Sequence, residues 1–172
     1  MDKTKFIEWF VGFTDGEENF MIGSDTRGKF TRFNFRFMIG LHIDDKPLLD
    51  FIQNNLGVGI VNTNKENTVS YFIISDTSVL KSVLIPIFDQ FSLNTSKYLD
   101  YLSFKEALLL ELPHFSKTEI RLNHINKILN LKKNMNKTRI VFDLAFKHIK
   151  ITPFWLLGFI EAEGSFFLRR NT

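Results

Sequence analysis

A four-stranded antiparallel sheet backed by helices on one face, an α+β fold, is predicted by three features of this 172-residue sequence. The first is period-two alternation. Phe33, Phe35, Phe37, Ile39, Leu41 and Ile43 fall on one side, and Arg32, Asn34, Arg36, Met38 and His42 on the other. Alternation of that length marks a strand with one buried and one exposed face. The second is the order of elements: a helix, two strands, a helix, two strands, then helices. The third is a repeated phrase. Trp9-Phe10-Val11-Gly12-Phe13-Thr14-Asp15-Gly16-Glu17-Glu18-Asn19-Phe20 aligns without a gap with Trp155-Leu156-Leu157-Gly158-Phe159-Ile160-Glu161-Ala162-Glu163-Gly164-Ser165-Phe166. Two copies in register imply two equivalent helices, each delivering a carboxylate.

Taken in chain order, the first copy predicts a helix over about residues 6–16, then a strand over about 19–25. Asp25-Thr26-Arg27-Gly28 signals a turn before the long strand. Asp44 or Asp45 caps a helix to about residue 55, with Leu48, Leu49, Ile52 and Leu56 as its apolar side. Gly57-Val58-Gly59 ends it and opens a hairpin with strands at about 59–64 and 68–75. Residues 76–84 read as a short helix halted near Pro86, with Ile85, Ile87, Phe88 and Phe91 in the core. Thr95 or Ser96 caps a longer helix to about residue 112, stopped by Pro113. Residues 119–134 form another, with Ile120, Ile125, Ile128, Leu129 and Leu131 inward. The division expected is a first domain over 1–112, a helical linker region over 113–150 and a second motif helix over 151–172.

Composition narrows the class. Apolar content of 44% suits one globular core. The absence of cysteine excludes disulfides and thiolate metal sites. Net charge is only +3, so a basic surface has to come from local arrangement. No apolar run approaches the ~18 residues of a membrane span, and the opening Met1-Asp2-Lys3-Thr4-Lys5 has no secretory pattern. Twenty phenylalanines, with frequent Ile, Lys and Asn, suggest an AT-rich organellar coding sequence, mitochondrial above all.

The repeated helices carry the chemistry. Gly12 and Gly16 lie four apart on one face, as do Gly158 and Ala162. Glycine inside a helix costs about 1 kcal/mol against alanine, so small residues at these positions point to close helix–helix approach. Phe10, Phe13, Leu156 and Phe159 are expected to fill the core around the contact. If the C-terminal ends of the helices meet, Glu17 and Glu163 converge, and two carboxylates brought close repel unless a cation lies between them. Their oxygens suit Mg²⁺, which keeps waters and takes substrate phosphates as further ligands. The alternative is a pair of solvated acids at helix ends.

Candidate nucleic-acid contacts are Arg32, Asn34 and Arg36 on the exposed strand face, Arg27 and Lys29 at the first turn, and Asn62, Asn64 and Lys65 near the hairpin tip. Lys97 sits in a first helical turn, where the helix dipole disfavours a cation; it meets a phosphate or is a surface lysine. Lys132, Lys133, Lys137 and Arg139 form a basic stretch that either touches nucleic acid or is a solvated linker.

On these motifs, together with Leu56-Gly57-Val58-Gly59, Ile85-Pro86-Ile87-Phe88 and the segment from Leu93 to Tyr101, the chain resembles the two-motif LAGLIDADG homing endonucleases encoded in organellar introns. The resemblance covers essentially the whole sequence. It implies Mg²⁺-dependent cleavage of both strands of a long double-stranded DNA site, with Glu17 and Glu163 as catalytic acids. It also implies metal contacts from the backbone carbonyls of Gly16 and Ala162, and a structural role for Asp15 and Glu161. Glu18 departs from the pattern, standing where the family has a small residue. Thr172 follows closely on the second motif, where relatives continue into a second sheet; the remainder is expected either from further residues of a longer protein or from a second polypeptide or ribonucleoprotein that completes the missing half. Two functions stay open: an endonuclease, whole or in part, or a catalytically silent derivative. The latter would be an RNA-binding maturase or a structural component of an organellar ribonucleoprotein such as a mitochondrial ribosome.

Overall fold

Helix α1 (Lys3–Glu17) leads into strand β1 (Glu18–Arg27), and the alternating phenylalanines build the long strand β2 (Phe30–His42) that follows. The structure is a computed structural model and describes residues 1–27, 30–110, 119–143, 149–165 and 168. A 3-10 turn (Ile43–Asp45) leads to α2 (Lys46–Leu56), then to the hairpin of β3 (Ile60–Thr63) and β4 (Val69–Ile74). The sheet is wholly antiparallel, in the order β1-β2-β4-β3. Directly paired residues share a face. Phe20 faces Phe37, which faces Ile74, on the inner side; Met21 faces Arg36, Gly23 faces Asn34 and Asp25 faces Arg32 on the outer side.

All the helices that build the core pack on the inner face. Phe20, Phe37, Ile39 and Phe72 are wholly buried there. Phe10 of α1 contacts Phe37 at 6.0 Å between ring centroids, and Phe20 contacts Phe104 at 5.2 Å. Tilted and edge-on pairs of this kind add about 0.5–1.5 kcal/mol each beyond the area they bury.

Several expectations are corrected. Asp45 precedes α2 but makes no side-chain cap bond; the helix start rests on Pro47 instead, whose fixed φ suits the first turn. The helix expected to halt near Pro86 does not halt. It runs as α3 (Thr77–Val79), a π-helical turn (Leu80–Leu84) and α4 (Ile85–Gln90). Proline lacks an N–H and its ring crowds the carbonyl four residues back; the wider turn just before Pro86 absorbs both. Helix α5 (Lys97–Leu109) ends short of residue 112, and Pro113 lies outside the described residues. In α6 (Glu119–Lys133) Ile128 is buried, but Ile120 is 60% exposed, because only the C-terminal half of the helix meets the core.

A second 3-10 turn (Asn136–Thr138) follows, clamped to α5 and β1. Arg139 pairs with Asp100 at 2.9 Å with both side chains about 10% exposed, the Asn136 N–H donates to Asp100, and the Asn136 side chain donates to the Phe20 carbonyl. The chain then enters α7 (Pro153–Glu163), capped by the Thr152 hydroxyl accepting from the Trp155 N–H.

Candidate metal centre and nucleic-acid interface

Helices α1 and α7 run in the same direction and touch backbone to backbone. A methyl group added at Gly12 would strike the Trp155 carbonyl, with the Trp155 carbonyl carbon at 2.7 Å; one at Gly158 would strike the Trp9 carbonyl, with the Phe13 nitrogen at 2.8 Å. A methyl at Gly16 would strike the Ala162 methyl and lie 2.9 Å from Cγ of Glu163. The four small residues therefore all stand in the contact. Any side chain at the crossing would push the helices apart.

The same contact brings Glu17 and Glu163 together where the two helices end. The Glu17 carboxyl is raised above its ordinary value, first by burial, then by the negative charge of Glu163; the Lys97 ammonium opposes the rise. Helix C-termini carry partial negative charge of their own. Two carboxylates at two such termini create a strongly cation-attracting spot. No cluster of three or more His, Cys, Asp or Glu ligands occurs among the described residues. Two carboxylates with open coordination positions fit a hard divalent ion that retains water and accepts phosphate oxygens.

The earlier acids of each motif do different work. Asp15 is 3% exposed and accepts from the Asn94 N–H at 2.6 Å, the Thr95 N–H at 3.0 Å, the Thr95 hydroxyl at 2.7 Å and the Trp155 indole at 3.0 Å. Asn94 in turn brackets the backbone of Lys150, donating to its carbonyl at 2.8 Å. Glu161 accepts from the Trp9 indole at 2.7 Å. Sequence reading did not find these partners. The visible signal was the tryptophan standing at the same place in both copies.

On the outer face of the sheet, Arg32, Asn34 and Arg36 are exposed. The Asn34 amide lies over Gly23, where an added methyl would strike it. Asn62 and Lys65 are exposed near the hairpin tip. Asn64 is used differently: its carbonyl oxygen accepts from the Thr68 and Val69 N–H groups at 2.9 and 3.1 Å, closing the turn. Arg27 ends β1, but its side chain and all of Lys29 lie outside the described residues.

A cavity of about 730 Å³ is lined by Asn19, Met21, Lys97, Lys132 and Lys137 among others. Oδ1 of Asn19 is buried with no hydrogen-bond partner among the described residues. Of the basic stretch, Lys132 donates to the Ser24 hydroxyl at 3.0 Å and Arg139 is consumed by Asp100. Leu156, expected in the core, is 44% exposed, and Leu157 and Ile160 are 42% and 39% exposed. Their counterparts in α1, Phe10, Val11 and Thr14, are at most 1% exposed because the sheet and its helices cover them.

Comparison with known proteins agrees with this geometry. The LAGLIDADG endonuclease family model matches residues 10–108. The protein RF1 of Saccharomyces cerevisiae, named an uncharacterized mitochondrial protein, is 35% identical over an aligned length of 169 residues, covering 96% of this chain and 33% of that protein. A Schizosaccharomyces pombe protein named "Probable intron-encoded endonuclease Cox1-I1b" is 36% identical over 176 residues, covering 99% of this chain and 43% of that one. The meganuclease I-SmaMI, solved bound to an uncleaved DNA target in the presence of calcium ions, superposes with a TM-score of 0.78 at 25% identity, covering 91% of this chain and 57% of that chain. The chain thus spans less than half the length of each of these two curated relatives.

Proposed function

Because the chain belongs to the LAGLIDADG endonuclease family, we propose that it binds double-stranded DNA on the outer face of its sheet and takes part in metal-dependent cleavage at Glu17 and Glu163. The observation that carries this reading is the convergence of the two carboxylates at the ends of two helices in backbone contact, beside a sheet face bearing Arg32 and Arg36. Phosphate contacts from the arginines supply affinity and register. Arg32, Asn34, Arg36 and Asn62 reach toward base edges, and Lys65 toward the backbone.

The two glutamates would hold a divalent ion, Mg²⁺ by ligand chemistry, with the Gly16 and Ala162 carbonyls close by. When bound, such an ion activates a water for attack on the phosphodiester and offsets charge on the leaving oxygen. Lys97, close enough to Glu17 to act on its charge, places a positive group next to the phosphate being cut. The apolar outer face of α7, formed by Leu156, Leu157 and Ile160, receives a second sheet in the manner that α1 receives the first. That sheet comes from further residues of a longer protein or from a second polypeptide. The mitochondrial setting of the relatives supports the same setting here.

The test is a binding and cleavage assay on DNA spanning the insertion site of the host gene, with and without Mg²⁺. Cutting should require the ion and fall at least about 100-fold in Glu17→Gln and Glu163→Gln, the scale of losing a preorganised electrostatic group, while binding persists. Cutting that survives in both variants would defeat the reading. Binding without cutting, with preference for structured RNA, would instead identify a silent derivative.

A further inference from the structure

Glycine faces allow two helices to approach closely, but they offer few interdigitating side chains to stop one helix sliding along the other. A slip of one residue moves a helix by about 1.5 Å, whereas Mg²⁺ tolerates little departure from oxygen distances of about 2.0–2.1 Å. Something else has to fix the axial register of α1 against α7. Each tryptophan of the repeated phrase crosses the contact twice. The Trp155 carbonyl lies against Gly12 while its indole donates to Asp15; the Trp9 carbonyl lies against Gly158 while its indole donates to Glu161. Each acceptor stands two residues before a motif glutamate on the opposite helix.

We infer that Trp9–Glu161 and Trp155–Asp15 form a reciprocal brace that sets the separation of Glu17 and Glu163, making these four side chains positioning residues for the carboxylate pair. The inference rests on the role proposed above for that pair. The two arms differ in strength. Asp15 is buried and shares its oxygens with Asn94 and Thr95, so the Trp155 arm is anchored to the segment leading into α5 and hence to Lys97. Glu161 is exposed, and among the described residues its carboxylate accepts from the Trp9 indole alone, so its arm can be cut without emptying the core.

Because the chain contains no cysteine, Glu17→Cys and Glu163→Cys give two unique sites for nitroxide labels. Dipolar broadening of the spectra then reports the distance distribution between them in the otherwise intact chain. Glu161→Leu and Trp9→Phe should widen that distribution, whereas Glu161→Gln, which keeps an acceptor for the indole, should leave it narrow. Equal distributions in all three would overturn the brace. A loss of fold would be visible by circular dichroism, and Glu161→Leu guards against it because that side chain is exposed. A parallel Mn²⁺ titration of the unlabelled protein should show about 10–100-fold weaker uptake in Glu161→Leu, the usual cost of removing a group that orients a ligand. If the unaltered chain takes up no Mn²⁺, the cation site itself fails, and the label distances alone decide the brace.

Discussion

At the scale of single residues, Glu17 shows the electrostatic cost of bringing two carboxylates together. Its carboxyl holds its proton more tightly in the folded chain than at its ordinary value of 4.5, through burial first and Glu163 second. The sign follows from linkage. The folded state binds more protons than the unfolded state between 4.5 and the raised value, so stability falls as pH rises through that window and stays lower above it. In metal-free buffer, Glu17→Gln should therefore raise the melting temperature at neutral pH, and the gain should disappear as pH falls below about 4.5. A series of thermal melts in EDTA checks this; a variant less stable at neutral pH would contradict it. The candidate acids were legible in the sequence because the phrase occurs twice. The resemblance implies a structural role for Asp15, but its partners Asn94, Thr95 and Trp155 were not legible, since they are far away along the chain and no local pattern marks them. At Asn64 the sequence likewise left a role unseen: its amide oxygen closes the hairpin turn by accepting from the Thr68 and Val69 N–H groups.

At the scale of elements, the α1–α7 contact depends on the absence of side chains. Gly12→Ala or Gly158→Ala should cost about 2–3 kcal/mol, the upper range for overpacking, since the added methyl meets backbone that cannot rotate away. Urea denaturation measures it, and a change below 0.5 kcal/mol, a magnitude ordinary for a surface position, would show that the helices separate easily. The clamp on the linker is a second element-level device. Arg139→Met leaves Asp100 charged and mostly buried, which should destabilise by about 3 kcal/mol; the same denaturation experiment reads it. Strands were legible where period two is long, as in β2, and the close helix approach was legible from glycine spacing. The run through Pro86 was not, because a π-helical turn has no sequence signature stronger than the proline that argues against a continued helix.

At the scale of the whole molecule, the described residues form one four-stranded sheet backed by helices, with two motif helices in contact that bring Glu17 and Glu163 together. The outer face of the sheet should behave as an electrostatic surface. Arg32→Ala and Arg36→Ala should each weaken DNA binding and lower the slope of log affinity against log salt by about 1; an unchanged slope would move the interface elsewhere. The asymmetry of burial between Phe10, Val11 and Thr14 on one helix and Leu156, Leu157 and Ile160 on the other was invisible in the sequence. Equivalent positions in a repeat look alike until it is known which of them a sheet covers.

The most direct test of the central claim, that Glu17 and Glu163 form one cation site, is the thermal shift on adding Mg²⁺ or Mn²⁺ to metal-free protein. An ion that binds only the folded state raises stability by an amount set by its concentration relative to its dissociation constant. The melting temperature of the unaltered chain should rise with the ion, and the rise should be lost in Glu17→Gln and in Glu163→Gln. An equal rise in all three proteins, or none in the unaltered chain, would contradict it.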